Sequence, residues 1–356
     1  MNKDYPRATA FLLTLTGILG IVLVAITVMT RFGADRWWFG ALNLYLPHVI
    51  WAVPGVLLFL AMSMVNRRWI WAPALCVVWV FGPVMGLCWA LKTSPQPGDS
   101  ILRVMTCNVK FGKHDISSFI ADIDRYHPDV ILLQDATGLL QTSCREYFRN
   151  WQVKEFGQYI IACRLPLADT VVEGINFPGQ AENQHCLRCR LRIAGREITL
   201  YNVHFLSPRE ALDLVPAAIN NPPFRDFAAN QLENSTAFRL IQARTLSKLL
   251  LQETGPVIVA GDLNAPDNSL VCATLRNSGL HDAFAERGRG YGYTYGHFLL
   301  PQRFPLLRFS FIRIDHIMMS SHIETVNCWT GTAEASDHRP VFADLALKRH
   351  SSANIR

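Results

Sequence analysis

The chain has 356 residues, enough for one large domain or two medium-sized domains. Half of its residues are hydrophobic and only 17% are charged, which is below the usual quarter for soluble domains. The formal net charge is +6, but the basic residues are spread along the chain, so charge alone does not identify a nucleic-acid-binding protein. The excess of apolar residues is local and lies near the N-terminus.

Three apolar stretches without Asp, Glu, Lys or Arg occupy residues 10–30, 37–65 and 69–91. Each is long enough to cross a hydrocarbon core of about 30 Å as a helix of about 20 residues. A signal peptide followed by buried core helices would begin similarly, but no convincing small-residue cleavage site follows the first stretch. We therefore expect a membrane anchor over residues 1–92 with about three transmembrane helices; two spans are the alternative.

The basic residues that flank the three stretches do not decide the orientation of the anchor. With a cytoplasmic N-terminus, Lys3, Arg7, Arg67 and Arg68 would lie inside, and Arg31, Arg36, Lys92 and Arg103 would lie outside. Because the two sides are equally basic, the positive-inside rule favours neither orientation. An odd number of spans would place the following domain on the side opposite to the N-terminus.

Residues 93–100 are polar and rich in proline and glycine, which is typical of a linker. Beyond them, strand and helix patterns interleave up to residue 347, and residues 348–356 form a C-terminal tail. Strands are predicted over 101–107, 129–134, 151–177, 186–205, 257–261, 310–319, 323–330 and 341–347, and helices over 116–126 and 236–252. Residues 206–234 are less regular, and they form either a substrate loop or a passive surface insertion.

Polar residues follow many of the predicted strands directly. They are Asn108, Asp135, His204, Asp262, Asn264, Asp315, Asp337 and His338. Asparagines, carboxylates and histidines at strand ends converge on one edge of a sheet. Oxygen ligands suit a divalent cation, and neutral donors or a proton carrier suit a phosphate ester.

The order of these residues is Asn, acidic, His, Gly-Asp-x-Asn, Asp and Ser-Asp-His. It resembles the endonuclease/exonuclease/phosphatase superfamily, the DNase I-like phosphoesterases, over roughly residues 101–347. The resemblance implies an α/β fold, the four-layer α/β sandwich, in which two packed and mostly antiparallel sheets are flanked by helices. It also implies a catalytic domain that hydrolyses phosphate esters with the help of a metal ion.

The resemblance implies a catalytic set of five residues. Asp262 would orient or deprotonate the attacking water, and Asn264 would be a ligand of the phosphate or the water. Asp315 would hold the imidazole of His338, which would contact the phosphate or exchange a proton. His204 would contact the phosphate or the leaving group.

The resemblance also implies a metal site. The carboxylates of Asp135 and Asp337 suit Mg²⁺, with Mn²⁺ as an alternative, and Asn108 would contact the metal-bound water or the phosphate. The acidic residue after Gln134 is usually Glu in this family, whereas this chain has Asp135. The shorter side chain must move the metal or bind it through water, which puts the affinity and the metal preference in question.

Three nearby residues are expected to be structural. His316 is next to Asp315, so on a strand it faces the opposite side. Cys186 and Cys189 are three residues apart in an alternating strand, so their side chains diverge, which argues against a shared metal or a disulfide.

The sequence leaves the substrate open, because nucleic acid, phospholipid head groups and small phosphate esters are all used within the family. A membrane anchor favours a lipid or envelope substrate over chromosomal DNA. We therefore expect a phosphoesterase embedded in the bacterial inner membrane, with its catalytic domain outside the cytoplasm. A nuclease is one alternative; a non-catalytic binding module, in which Asp135 marks a lost site, is the other.

Overall fold

The computed structural model describes residues 5–91, 100–113, 116–176, 184–193, 195–297, 309–332 and 336–347. The predicted linker, apart from Ser100, and the predicted C-terminal tail lie outside these residues. Contacts divide the chain into two compact units. One contains residues 1–87 and 268–270, and the other contains residues 88–267 and 271–356.

The N-terminal unit is helical. Its α-helices among the described residues are α1 (Pro6–Arg31), α2 (Trp38–Tyr45), α3 (Ala52–Val65) and α4 (Trp71–Trp79). A 3₁₀ segment, His48–Trp51, runs directly into α3, and α4 continues as the π-helical turn Val80–Val84. Two helical segments are long and apolar enough to cross a membrane, Pro6–Arg31 with a mean hydropathy of 2.6 and His48–Val65 with 2.0.

The second and third predicted spans are shorter in the structure than in the sequence. Pro47 separates α2 from the segment that starts at His48, because proline supplies no backbone N–H and disfavours a helical residue before it. In the third predicted span, α4 and its π-helical turn end at Val84, one residue after Pro83. Within residues 5–91, two helical segments therefore reach membrane length, not the three that the sequence predicts.

The second unit contains two six-stranded sheets. The strand order is β13-β14-β2-β3-β5-β4 in the first sheet and β10-β12-β9-β8-β7-β6 in the second. The strands are β1 (Cys88–Trp89), β2 (Ser100–Asn108), β3 (Val130–Gln134), β4 (Gln152–Phe156), β5 (Tyr159–Cys163), β6 (Leu167–Gly174), β7 (His185–Ile193), β8 (Arg196–His204), β9 (Val257–Asp262), β10 (Leu280–Asp282), β11 (Arg289–Gly290), β12 (Asp315–Ser320), β13 (Ile323–Thr330) and β14 (Val341–Leu347). Within these two sheets only β2–β3 and β8–β9 are parallel pairs, while β1 and β11 form a separate two-stranded ribbon.

Helices cover the outer faces of both sheets. The helices of this unit are α5 (Ile116–Tyr126), α6 (Cys144–Tyr147), α7 (Arg209–Asp213), α8 (Val215–Asn220), α9 (Arg225–Leu250), α10 (Leu270–Asn277) and α11 (Ala283–Arg287), and of these α5, α6, α9 and α10 pack on the outer faces. Phe119 and Ile123 of α5 pack on the first sheet, and Leu246 of α9 packs on the second. The layers are therefore helix, sheet, sheet and helix, which confirms the predicted four-layer α/β sandwich.

Strand periodicity builds the core between the sheets. Leu187, Cys189 and Leu191 alternate along β7 and share one buried cluster with residues of β2, β3 and β14. Cys186 lies in the other buried cluster, with the residues of α9. The prediction that Cys186 and Cys189 face opposite sides is confirmed, and no disulfide joins the cysteines that the structure describes.

The segment after β8 differs from the sequence prediction. Residues 206–224 form α7, α8 and the 3₁₀ turn Pro222–Phe224, and α9 begins at Arg225 rather than at residue 236. Ser235 is therefore inside the helix and does not cap it. Its Oγ accepts a hydrogen bond from Arg239 Nη1 at 2.8 Å.

Two buried amide side chains join the sheets just below the polar strand ends. Gln134 Nε2 of β3 donates to Asn202 Oδ1 of β8 at 2.7 Å. Asn202 Nδ2 donates in turn to the carbonyls of Leu133 and Ile160 at 2.9 and 3.0 Å. Buried amides are stabilising when they are bonded in this way, and here they fix the two sheets relative to each other where the polar residues begin.

Candidate active site

One edge of the second sheet carries three titratable residues in a row. His204 ends β8 and is the register partner of Asp262, which ends β9. Asp315 begins β12 and lies directly opposite Asp262 across an antiparallel pair. Both carboxylates are buried, with exposed fractions of 1% and 0%. Like charges directly opposite each other are destabilising, so this row requires compensating groups.

The first sheet brings further polar residues to the same edge. Asn108 ends β2, Asp135 directly follows β3, and Asp337 and His338 precede β14. Asn108 Nδ2 donates to Asp262 Oδ2 at 3.1 Å, so the two sheets are bonded to each other within the site. The structure thus gathers these strand-end residues, as their positions in the sequence predict.

His338 lies between the two buried carboxylates. Its Nδ1 is 2.9 Å from Asp315 Oδ2, and its Nε2 is 3.8 Å from Asp262 Oδ2. Because a carboxylate can only accept, Nδ1 carries a proton and Nε2 faces Asp262. Burial lowers the pKa of His338, but the charges of Asp315 and Asp262 outweigh this effect and raise the pKa to about 9. The imidazole is therefore a cation at neutral pH.

Asp262 is fixed by donors on both oxygens. Oδ1 accepts from the backbone N–H of Asn264 at 2.8 Å, and Oδ2 accepts from Asn108. Burial and the charge of Asp315 raise the pKa of Asp262, although two histidines and Asn108 next to it lower it. A buried carboxylate with a raised pKa has the properties of a general base.

The turn after β9 depends on Gly261 and Asn264. Gly261 has φ +150°, and a side chain there would collide with the main-chain carbonyl oxygen of Val203 on β8. Asn264 adopts the left-handed conformation, φ +48°, which asparagine tolerates better than most residues. Its Nδ2 donates to the carbonyl of Phe205 at 2.9 Å, so this side chain also ties the end of β8 to the turn.

His204 is held on both sides of its ring. Nδ1 lies 2.6 Å from Gln158 Oε1 and 3.5 Å from Asp135 Oδ1, and Nε2 lies 3.5 Å from Asp262 Oδ2. Gln158 lies in the turn between β4 and β5. No pattern in the sequence points to Gln158, since a glutamine in a surface turn has no signature of function.

Asp135 and Asp337 are the outer two carboxylates of the site, and they are less buried than the pair Asp262 and Asp315. Each of them has a basic neighbour. Lys110 Nζ is 4.0 Å from Asp135 Oδ2, and Arg209 Nη2 is 3.2 Å from Asp337 Oδ2. Burial raises the pKa of Asp337, but the positive charges of His338, Lys110 and Arg209 outweigh it, so the pKa is lowered. Asp337 is therefore ionised at neutral pH.

Several donors at this edge are of the type that a hard divalent cation prefers. Asp262, Asp315 and His338 have ligand atoms within 4.8 Å of one another, but Nδ1 of His338 is bonded to Asp315, which is the geometry of an acid–base pair. The carboxylates of Asp135 and Asp337 offer oxygen atoms of the kind that Mg²⁺ prefers. Among the described residues, buried Asp315 Oδ1 has no hydrogen-bond partner, so the site also retains acceptor capacity.

A second carboxylate–histidine group lies behind β12. Arg313 bonds to Asp282 at 2.8 Å and to Asp267 at 3.0 Å, while His316 Nδ1 is 2.7 Å from Asp282 Oδ2. The other ring nitrogen of His316 is 3.0 Å from the carbonyl of Ala265. The guanidinium of Arg313 already balances the charges of Asp282 and Asp267, so we interpret the group as structural. His316 faces away from the Asp262 row, as its position next to Asp315 predicts.

A four-layer sandwich with carboxylates, histidines and asparagines at one sheet edge is the arrangement of the DNase I-like fold class. The chain belongs to the Endonuclease/Exonuclease/phosphatase family, whose family model matches residues 105–338. That match spans all eight strand-end residues that the sequence singles out.

Solved structures share the fold at low sequence identity. An endonuclease/exonuclease/phosphatase from Bacteroides vulgatus is 16% identical with a TM-score of 0.53, over 70% of this chain and 100% of that one. A family protein from Bacteroides thetaiotaomicron is 15% identical with a TM-score of 0.50, over 70% and 99%. The 3′ phosphatase NExo from Neisseria is 15% identical with a TM-score of 0.47, over 68% and 98%. A search of curated proteins finds no match.

The structural group around His316 predicts a pH dependence of stability. Burial lowers the pKa of His316, but Cys272 and the Asp282 carboxylate next to it raise the pKa to about 10. The folded-state pKa lies above the unfolded value of about 6.5, so this contribution is complete below about pH 6.5 and is lost as the pH rises through about 10. Replacing His316 with Asn should remove the contribution and cost about 1.5–3 kcal/mol near neutral pH, because Asp282 loses a charged hydrogen bond but keeps Arg313.

Urea unfolding of the full chain, followed by tryptophan fluorescence from pH 6 to 10, measures this contribution. The difference between wild type and His316→Asn should shrink as the pH rises. His322→Asn is the control, because His322 is exposed and lies on the turn after the same strand. A difference that does not change over this pH range would show that His316 is neutral in the folded protein.

Proposed function

We propose that this protein is a membrane-anchored, Mg²⁺-dependent phosphoesterase, a phosphodiesterase or a phosphatase, that hydrolyses its substrate by in-line attack of water. The observation that carries the proposal is the group formed by Asp262, His338 and Asp315. It combines a buried carboxylate of raised pKa with a cationic imidazole that a second carboxylate orients. Family membership supports the same class of reaction.

The proposed roles follow from the contacts of each side chain. Asp262 accepts the proton of the attacking water, because its pKa is raised and donors hold both oxygens in place. His338 directs Nε2 into the site, where an N–H bond stabilises the charge that develops on a phosphoryl oxygen. Asp315 keeps the imidazole charged and oriented. His204 and Asn264 lie on the other side of Asp262, where they contact the phosphate or the leaving group.

Asp135 and Asp337 would hold the divalent cation, together with Asn108. The cation, Mg²⁺ or Mn²⁺, would supply Lewis-acid polarisation of a phosphoryl oxygen. Asp135 adopts φ +47°, an uncommon conformation for a residue other than glycine. Its backbone geometry places the shorter carboxylate within 3.5 Å of His204 Nδ1. The side chain is therefore directed into the site even though it is one methylene shorter than Glu.

The proposed substrate is a phosphate ester. A membrane anchor favours a lipid head group, and nucleic acid is the alternative. The second candidate function is that of a nuclease, and it is supported by the family, which includes endonucleases and exonucleases. A non-catalytic binding module would show no turnover of any ester. An activity screen of the full chain in detergent, with phospholipids, DNA, RNA and small phosphate esters, separates these alternatives.

Asp262→Asn should abolish most hydrolysis. The change removes a charge and a proton acceptor from the reacting centre and almost no volume, and general acid–base groups are typically worth about 10²- to 10⁴-fold in rate. We expect kcat to fall by that amount while the melting temperature stays near that of the wild type. Asp169→Asn is the matched control, because the Asp169 side chain is 62% exposed. Near-normal turnover by folded Asp262→Asn would rule out this mechanism.

The metal dependence should report on Asp135. Asp135→Glu restores the longer carboxylate and should keep or tighten the dependence on Mg²⁺, whereas Asp135→Ala should weaken it by removing an anionic oxygen ligand. The measurement is activity against Mg²⁺ and Mn²⁺ concentration for the three proteins. Identical curves would show that Asp135 is not a ligand, and the metal would then depend on Asp337 and Asn108 alone.

The membrane anchor is proposed from α1 and from the segment His48–Val65, the two membrane-length helical segments. We retain the proposal that the protein lies in the bacterial inner membrane and that its catalytic domain lies outside the cytoplasm. Two spans would place Met1 on the same side as that domain, and three spans would place it on the opposite side.

Reporter fusions decide both points of this topology. A reporter after Arg356 that is active only outside the cytoplasm should give signal, and a reporter before Met1 then counts the spans. Signal from the matched cytoplasm-only reporter after Arg356 would overturn the outward placement. It would also make the nuclease the favoured function, because an inward domain meets nucleotides and nucleic acid.

A further inference from the structure

Arg209 lies at the open side of the site and contacts it directly. Its Nη2 donates to Tyr295 Oη at 2.8 Å and to Asp337 Oδ2 at 3.2 Å. The ring of Tyr295 lies 4.9 Å from the ring of His338. The Arg209 side chain is 44% exposed, whereas that of Asp337 is 13% exposed. A partly exposed cation therefore lies next to the reacting centre.

The chain that carries Arg209 is anchored by two buried polar residues of α9. The backbone N–H of Leu206 donates to Gln242 Oε1 at 2.9 Å, and the carbonyl of Leu206 accepts from Arg239 Nη1 at 3.3 Å. Arg239 and Gln242 are 2% and 0% exposed. A buried arginine and a buried glutamine are costly unless they are bonded, and here they fix the turn three residues before Arg209. The backbone that leads to Arg209 is therefore fixed by the fold.

Stability does not account for this arrangement. An ion pair with a partner as exposed as Arg209 contributes about 0–1 kcal/mol. An arginine carries five N–H donors in a planar fork that matches the geometry of phosphate. Within the described part of the chain only Nη2 of this guanidinium is bonded, which leaves Nε and Nη1 as donors at the mouth of the site.

The charge of the site creates a need for such donors. Asp135, Asp262, Asp315 and Asp337 are all carboxylates, and they would repel an anionic substrate. Lys110 and Arg209 each lie next to one of the outer two carboxylates. A phosphate monoester carries more negative charge than a diester, so it depends more on cations at the mouth.

We propose that Arg209, held by Tyr295, binds the outward-facing phosphoryl oxygen of the substrate and makes the site prefer terminal phosphate monoesters over phosphodiesters. A monoester has an unesterified oxygen where a diester carries a second alcohol group. A free N–H of the guanidinium can bind that oxygen through a charge-assisted hydrogen bond, whereas a second alcohol group would have to pass between Arg209 and Tyr295. This inference rests on the proposed phosphoesterase activity and narrows its substrate class.

The test compares two esters that share one leaving group, p-nitrophenyl phosphate and methyl p-nitrophenyl phosphate, with the full chain in detergent and Mg²⁺. Arg209→Gln should lower kcat/KM for the monoester by about 10- to 100-fold, mainly through KM, because a charged hydrogen bond is lost. The diester should change by less than about threefold, because its second alcohol group occupies the outward position at which that bond forms. Arg209→Lys should be intermediate, since it keeps the charge and loses the fork.

Arg149→Gln is the control, because Arg149 also pairs with a carboxylate, Glu146, but belongs to a surface turn outside the site. It should leave both rates unchanged. Equal losses on the two esters, or no loss on either, after Arg209→Gln would overturn the assignment of Arg209 as the selecting residue.

A binding measurement separates this inference from the proposed function. Calorimetric titration of inorganic phosphate with Mg²⁺ present should show an affinity at least about tenfold weaker for Arg209→Gln than for wild type. If wild type hydrolyses no ester in the activity screen, the proposed function fails, and the titration still tests whether Arg209 binds phosphate. Titrations that do not differ between wild type and Arg209→Gln would overturn the inference.

Discussion

Two buried carboxylates, Asp262 and Asp315, face each other across neighbouring strands, and the rest of the site depends on how that repulsion is balanced. The imidazole of His338 is bonded to one and directed at the other, so a single cation serves both. Asn108 adds a neutral donor from the other sheet. The same contacts that make this sheet edge stable therefore also prepare a proton acceptor and a cationic donor next to each other.

Much of this architecture is encoded locally, which is why the sequence predicts it. Alternating apolar residues define the strands and the face of each that is buried, and α5 occupies Ile116–Tyr126, the range that its amphipathic pattern predicts. The motif residues are next to their strands in the chain, so the register of the sheets brings His204, Asp262 and Asp315 together. A residue at a strand end has little freedom to be anywhere else.

Other parts of the site depend on contacts between distant segments, and the sequence does not reveal them. Arg209, Gln158 and Tyr295 come from a short helix, a turn and a loop whose local patterns are ordinary. The early start of α9 has a similar cause, because Arg239 and Gln242 of this helix bond to the backbone of Leu206, in the segment that precedes it. Apolar composition likewise overstates the length of the N-terminal helices, since it does not show where Pro47 and Pro83 end a helix.

The close approach of β8 and β9 at Gly261 limits how this protein can evolve. The obstacle to a side chain at that position is a main-chain oxygen, that of Val203, and not another side chain. Changes in neighbouring side chains therefore cannot compensate for the loss of this glycine, because every amino acid at position 203 supplies the same carbonyl. Diversification of specificity has to proceed through the loops around the edge, while the spacing of the two strands that carry His204 and Asp262 stays fixed.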